Sequence, residues 1–134
     1  GQSTSCPNSI AQYAAVEALI GDQSIVEKMK NSFKIRRNLI VDRLNNISGV
    51  SCLMPGGAFY AFPNFKKYID TSYKNKIIKT SSDLSLYFLE KNSIVTVAGD
   101  SFGAPNNIRL SYAASEKNIN LALDKIEDSL KKLL

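Results

Sequence analysis

A stripe of apolar residues, spaced three or four positions apart between residues 24 and 47, constrains the fold of this 134-residue chain more than any other feature. The stripe consists of Val26, Met29, Phe33, Ile40, Leu44 and Ile47. The predicted helix starts at Asp22 or Ser24, and Ser24 with Glu27 three residues later predicts a capping box. Ser48-Gly49 marks its end. An arginine pair fills the gap in the stripe, which suits a helix whose surroundings change along its length. Such a helix exceeds about 30 Å at about 1.5 Å per residue, enough to connect two domains.

Shorter patterns predict the other elements. A first short helix ends at Gly21, where a left-handed C-cap is expected. A third helix begins at Ser81 or Ser82, and the last one is capped by Ser115. Strands are predicted over residues 50–53, 58–63, 94–97 and 108–113, with a polar insertion at 64–80 and a loop at 98–107. These elements predict an α/β (α+β) fold: a small mixed sheet with helices packed on one side, preceded by a long interdomain helix.

Composition excludes several classes of protein. The contents of 44% hydrophobic and 22% charged residues are those of a globular domain. No apolar run approaches the roughly 20 residues of a membrane-spanning helix, and the start of the chain lacks a signal-peptide pattern, so we expect a cytoplasmic protein without a membrane partner. The chain contains no histidine, and Cys6 and Cys52 lack metal-binding spacing. We therefore expect no metal site and no imidazole base.

The net charge of +5 is spread along the chain, apart from one lysine-rich segment. The lysines of this segment are Lys66, Lys67, Lys74, Lys76 and Lys79. Such a segment can bind anions, but a solvated surface is the more common role of a charge run, and we predict that role here. No nucleic-acid partner is expected.

Arg109 is the candidate functional residue. Period-two alternation over residues 108–113 places Arg109 on one strand face with Ser111 and Ala113, and the apolar residues on the other. A guanidinium offers a planar fork of donors that fits a carboxylate, and the small neighbours leave room for a ligand. Two other roles remain open, namely exposure at the solvent face of the sheet and pairing with an acidic residue of the chain. The preceding loop, residues 99–105, contains two glycines and a proline, which suit a tight backbone path.

Three motifs, in this order, resemble the class I, fold-type I, pyridoxal-phosphate-dependent aminotransferases, and bacterial aspartate aminotransferases in particular. Residues 2–7 with 10–12 resemble the segment that follows the cofactor-binding lysine, although Cys6 stands where the family usually has asparagine. Residues 55–60, Pro-Gly-Gly-Ala-Phe-Tyr, resemble the glycine-aromatic strand of the family's small domain. Residues 99–103 and 108–113 resemble its C-terminal signature.

The resemblance implies a domain organisation. Residues 1–23 correspond to a remnant of the large, cofactor-binding domain, and residues 24–134 to the C-terminal small domain with a linking helix at about 24–47. The full-length enzyme is expected to be a homodimer, with Ser3 and Thr4 near the subunit boundary.

The resemblance also implies a reaction and a role for Arg109. Amino groups pass between aspartate, or a related amino acid, and a 2-oxo acid, and Arg109 grips the substrate α-carboxylate. The catalytic lysine and the residues that hold pyridoxal phosphate would lie upstream. We therefore expect no catalytic residue and no cofactor-binding residue in this chain, no bound cofactor, and no activity of the chain alone.

Two alternatives remain at this point. The chain could come from another fold-type I enzyme, such as an aromatic or alanine aminotransferase, a synthase or a lyase, because residues of the large domain largely set side-chain specificity. A more distant alternative is an RNA-binding α/β module, since residues 57–62 are similar to the aromatic strand of an RNA-recognition domain.

Overall fold

The computed structural model describes residues 6–74 and 76–133, and within these ranges it contains four α-helices and two small β-sheets. Ser3 and Thr4 lie outside the described residues. The helices are α1 (Ser9–Ile20), α2 (Ser24–Asn45), α3 (Ser81–Asn92) and α4 (Glu116–Leu130). The strands are β1 (Tyr60–Ala61), β2 (Thr71–Tyr73), β3 (Lys76–Ile78), β4 (Val97–Ala98) and β5 (Ile108–Ser111). Short 3₁₀ helices occur at Lys66–Tyr68 and Gly99–Phe102. Among the helices of residues 6–74 and 76–133, none combines the length and the hydrophobicity that a membrane span requires.

The chain divides into two compact units, Gly1–Ser32 and Phe33–Leu134, with the boundary inside α2. In the first unit, α1 begins where the Asn8 side chain accepts a hydrogen bond from the backbone N–H of Ile10 at 2.8 Å. Gly21 ends α1 in an extended conformation (φ −71°, ψ −178°), so the expected left-handed cap is wrong. A glycine is needed there for a different reason, because a Cβ would lie 2.6 Å from the carbonyl oxygen of Glu17.

The start of α2 also differs from the prediction. The Ser24 hydroxyl donates to Asp22, and the Glu27 carboxylate pairs with Lys30 at 3.2 Å, so Ser24 and Glu27 form no capping box. The predicted bounds of this helix are otherwise close, since α2 runs from Ser24 to Asn45.

One hydrophobic core holds the second unit together. It takes side chains from the C-terminal half of α2, from α3, from β5 and from α4. Its fully buried members include Leu44, Leu84, Phe88, Ile108 and Leu130. The predicted stripe of α2 enters this core at Ile40, Leu44 and Ile47, whereas Val26 and Met29, in the first unit, are more than half exposed.

The larger sheet has the strand order β1-β5-β4. Tyr60 pairs with Ser111, and Val97 pairs with Arg109. The predicted α/β class is confirmed, but every strand pair of the described residues is antiparallel, so the sheet is not mixed in strand direction. For the β4–β5 pair the physical reason is a short connection, because one loop turns the chain back between these two strands.

Several strands are shorter than predicted. Residues 50–53 form no strand, and Ser51 instead makes a single antiparallel bridge to Asn64. The predicted polar insertion at 64–80 is also wrong, because it contains the β2–β3 hairpin and buries Phe65, Tyr68 and Ile78. These apolar residues are too widely spaced in the sequence to form a recognisable strand pattern.

Helix caps set the ends of α3 and α4. The α3 cap is Thr80 rather than Ser81 or Ser82, and a capping box joins Thr80 to Asp83. Ser115 caps α4, as predicted, by accepting from the backbone N–H of Asn118 at 3.2 Å.

Candidate functional site

Arg109 lies on the central strand of the three-stranded sheet. Its neighbours Ile108 and Leu110 are buried in the core, whereas Arg109 is half-buried and Ser111 is exposed on the opposite face. The predicted alternation of β5 is therefore confirmed. The arrangement exists because an apolar residue at every second position anchors the strand, which directs the guanidinium away from the core.

Two aromatic rings hold the guanidinium, and we call the pair Tyr60 and Phe102 the aromatic clamp. The guanidinium carbon of Arg109 lies 4.3 Å from the ring centroid of Tyr60 and 4.8 Å from that of Phe102. Each such cation–π contact contributes about 0.5–2 kcal/mol. A ring accepts no full hydrogen bond from the guanidinium, so the five N–H donors keep their capacity for an oxygen ligand. The clamp thus orients Arg109 without consuming its donors.

The guanidinium of Arg109 has no acidic partner within 4.0 Å in residues 6–74 and 76–133. Pairing with an acid of the described chain, one of the two alternative roles of this arginine, is therefore not observed. Arg43 shows the contrast, because it bonds Asn120 at 2.7 Å and also pairs with Asp124. Arg43 connects two helices, whereas the donors of Arg109 point to no protein acceptor that the structure describes.

The loop before β5 follows the tight path that its glycines predict. The N–H of Gly99 donates to the Asn107 carbonyl at 2.8 Å, and the Gly99 carbonyl accepts from Ala104 at 3.0 Å. A Cβ on Gly99 would lie 2.1 Å from the Ala104 oxygen, so no other residue fits there without a shift of backbone. This path brings Phe102 to Arg109, where its ring also meets Phe62 edge-on at 5.9 Å between centroids.

The segment before Tyr60 is held from two sides. Arg37 of α2 donates to the carbonyl of Pro55 at 3.2 Å, and the Tyr112 hydroxyl donates to the carbonyl of Ala58 at 2.9 Å. Ala58 has φ 58°, a conformation that costs a non-glycine residue roughly 1–2 kcal/mol. Burial raises the pKa of Tyr112, and the charge of Arg37 opposes that rise, so the phenol stays a neutral donor. In the sequence, the only sign of this role of Arg37 was that an arginine pair interrupts the apolar stripe of α2.

The lysine-rich segment contributes no residue to the aromatic clamp around Arg109. All five of its lysines are exposed, as a solvated surface requires. A cavity of about 390 Å³ between the β2–β3 hairpin and α3 includes Lys74 and Lys76 in its lining but no residue of the aromatic clamp. Lys76 is paired with Glu90 there at 3.9 Å.

No group of three metal-binding side chains occurs in the part of the chain that the structure describes. Cys6 and Cys52 are both free thiols, the first exposed and the second buried.

Comparison with known proteins identifies the family. The aminotransferase class I and II model matches residues 1–126. The aspartate/prephenate aminotransferase of Nitrosomonas europaea is 42% identical over 131 residues, which cover 96% of this chain and 33% of that protein. The aspartate aminotransferase of Geobacillus stearothermophilus is 42% identical over 92% of this chain and 30% of its own length.

A solved structure agrees with the sequence comparisons. The crystal structure of the aspartate aminotransferase from Rhizobium meliloti superposes with a TM-score of 0.93 at 40% identity, over 99% of this chain and 34% of that one. This chain thus spans about a third of the length of the relatives it matches. The resemblance found in the three motifs is confirmed, and the chain belongs to the class I and II aminotransferase family.

Proposed function

We propose that this chain supplies the substrate-carboxylate grip of an aspartate aminotransferase-like enzyme, through Arg109. The observation that carries the proposal is the aromatic clamp: the guanidinium is fixed by Tyr60 and Phe102, and its donors meet no acid of the described chain. A carboxylate would accept two parallel N–H bonds from this fork. Arg109 would then fix one end of the amino acid, so that the remaining groups of the substrate face the catalytic residues in one orientation.

We further propose that residues 24–134 form the C-terminal small domain and residues 1–23 a remnant of the large domain, in a longer homodimeric enzyme. Two observations support this organisation. The chain covers about a third of its relatives. In addition, α1 has no buried residue, and its apolar side chains Ile10, Tyr13 and Leu19 are each more than three-quarters exposed. Apolar exposure on this scale is typical of a surface that packs against further protein.

The family's chemistry requires pyridoxal phosphate, which acts as the electron sink during amino transfer. The residues of this chain do not fit as its holders. All thirteen lysines are exposed, whereas the lysine that attacks the carbonyl of the cofactor needs a desolvated site or a neighbouring cation. We infer that the cofactor and the catalytic lysine belong to an upstream part of the enzyme, and we expect the isolated chain to be inactive.

Aspartate, or a related amino acid, is the proposed donor, and a 2-oxo acid the acceptor. Among the solved structures, the aspartate aminotransferase of Rhizobium meliloti is 40% identical, whereas the alanine aminotransferase from Pyrococcus furiosus and the aromatic aminotransferase from Pyrococcus horikoshii are 30% and 32% identical. The aspartate aminotransferase of Thermus thermophilus is also 30% identical, so identity favours aspartate without separating the three activities. Comparing aspartate, alanine and phenylalanine as donors would separate these activities.

The test uses a grafted enzyme, in which this chain replaces the matching third of the Rhizobium meliloti aspartate aminotransferase. Arg109→Ala should lower kcat/KM for aspartate by roughly 30-fold or more, since loss of a carboxylate contact costs on the order of 2–5 kcal/mol. Arg36→Ala is the matched control, because Arg36 also lies over a ring, that of Phe33, at 5.5 Å. Equal kinetics of Arg109→Ala and the unchanged graft would refute the proposal.

A further inference from the structure

Asp100 connects the loop that carries Phe102 to the first turn of α3. Its Oδ2 accepts hydrogen bonds from the hydroxyls of Ser81 at 2.9 Å and Ser82 at 3.0 Å, and from the Ser82 backbone N–H at 3.3 Å. In return, the Asp100 backbone N–H donates to the Ser81 hydroxyl oxygen at 3.2 Å. Ser81 is only 1% exposed, so these bonds also satisfy a buried polar group.

The same residue fixes the far end of the 3₁₀ helix. The Asp100 carbonyl accepts from the N–H of Gly103 at 3.1 Å, which closes the turn around Phe102. The N-terminal end is fixed independently by the pairing of Gly99 with Asn107. The carboxylate of Asp100 therefore holds the turn on the α3 side, whereas the bond on the Gly103 side belongs to the backbone and persists in any variant at this position.

Burial does little to place the Phe102 ring. The residue is 49% exposed, and its aromatic neighbour Phe62 is 36% exposed. A half-exposed ring gains only part of the stabilisation that full burial of a phenylalanine provides. The position of this ring over Arg109 thus depends mainly on the backbone that carries it, and that backbone is anchored by Asp100.

Capping of α3 accounts for only one contact of Asp100, the bond that its carboxylate accepts from the Ser82 backbone N–H at 3.3 Å. The helix already has a complete capping box, formed by Thr80 and Asp83. Asp83 accepts from the Thr80 backbone N–H at 3.0 Å, and neither residue touches the 3₁₀ helix through a hydrogen bond of the described chain. Asp83 and Asp100 are therefore two carboxylates at one helix end with separable roles.

We propose that Asp100 is a positioning residue for the carboxylate site: by anchoring the Gly99–Phe102 turn to Ser81 and Ser82, it holds Phe102 over Arg109 and so orients the guanidinium. The placement of the Phe102 ring by Asp100 does not depend on the proposed function, whereas its consequence for substrate binding rests on that function. Asp83→Ala is the matched control for Asp100→Ala, since each removes one carboxylate from the start of α3.

The orientation can be measured in the chain itself by NMR. The side-chain Nε–H resonance of Arg109, identified by its loss in Arg109→Lys, should carry ring-current shifts from the clamp. Asp100→Ala should remove about as much of that shift as Phe102→Leu does, and Asp83→Ala should leave it unchanged. If Phe102→Leu moves the resonance and Asp100→Ala leaves it in place, Asp100 does not position the ring.

Kinetics of the grafted enzyme give the second measurement and keep the two proposals distinguishable. Asp100→Ala should raise KM for aspartate about five- to tenfold and change kcat less than about twofold, because a less ordered arginine weakens binding before and during the reaction equally. If Asp100→Ala has a normal KM while Arg109→Ala loses most of its kcat/KM for aspartate, only the role of Asp100 is overturned. If neither variant loses kcat/KM for aspartate, the proposed function is overturned. The NMR result would then still decide whether Asp100 positions the Phe102 ring over Arg109.

Discussion

Tyr60 and Arg109 are diagonal neighbours on paired strands, and the guanidinium carbon of Arg109 lies 4.3 Å from the Tyr60 ring centroid. Their contact follows from register: Tyr60 is opposite Ser111, two residues beyond Arg109, and long side chains reach across such a diagonal. A slip of one residue would turn Arg109 into the core side of the sheet. The buried positions Ala61 and Leu110, which are paired with each other, oppose such a slip.

We therefore predict that the Tyr60 ring, and not its hydroxyl, supports the arginine. In the grafted enzyme, Tyr60→Leu should raise KM for aspartate roughly two- to fivefold, since an exposed cation–π contact contributes about 0.5–1 kcal/mol. Tyr60→Phe keeps the ring and serves as the control. If Tyr60→Leu and Tyr60→Phe change KM equally, the contact between the Tyr60 ring and the Arg109 guanidinium does not support substrate binding.

The capping box of α3 predicts a dependence of stability on pH. The Thr80 hydroxyl, followed by the Lys79 backbone N–H, lowers the pKa of Asp83 below its ordinary value of 3.8. A carboxyl with a depressed folded-state pKa stabilises the fold above its unfolded pKa, and this contribution is lost as pH falls through the folded value. Loss of one capping contact contributes about 0.3–1.5 kcal/mol, so Asp83→Ala should lower the unfolding free energy at pH 7 by an amount in this range.

Urea denaturation at several pH values checks this prediction. The difference between Asp83→Ala and the unchanged chain should be constant from pH 7 to about pH 5 and should shrink below about pH 4. A difference that stays constant down to pH 2 would mean that the Asp83 charge contributes nothing to the cap.

The two cysteines should differ strongly in reactivity. Cys6 is exposed, whereas Cys52 is buried, and burial raises the pKa of the Cys52 thiol above its ordinary value, so that less of the reactive thiolate forms near neutral pH. With iodoacetamide at pH 8, Cys52 should react at least about tenfold more slowly than Cys6 in the folded chain. As a control, the two thiols should react with iodoacetamide at equal rates in urea. Equal rates of the two thiols without urea would contradict the burial of Cys52.

Local patterns in the sequence predicted much of this fold. The stripe of α2, the alternation of β5 and the Ser115 cap all depend on residues a few positions apart, where helix and strand geometry decide which side chains share a face. The role of Arg109 as the candidate residue followed from such a pattern.

The rest depended on contacts between distant residues. Tyr60 and Phe102 meet at Arg109 only because β1 and β5 pair and the 3₁₀ turn folds back over the sheet. The cap of α3 was predicted at Ser81 or Ser82, and Thr80 was missed, although its hydroxyl can accept a backbone N–H equally well. The hydroxyls of Ser81 and Ser82 donate to Asp100 instead, and Thr80 is the residue that caps α3.

The most direct test of the carboxylate grip is a crystal structure of the grafted enzyme with maleate, a dicarboxylate that cannot undergo amino transfer. The proposal predicts one maleate carboxylate with its two oxygens about 2.7–3.0 Å from two nitrogens of Arg109, and both clamp rings still beside the guanidinium. Maleate bound by other residues, with Arg109 touching only Tyr60 and Phe102, would contradict it.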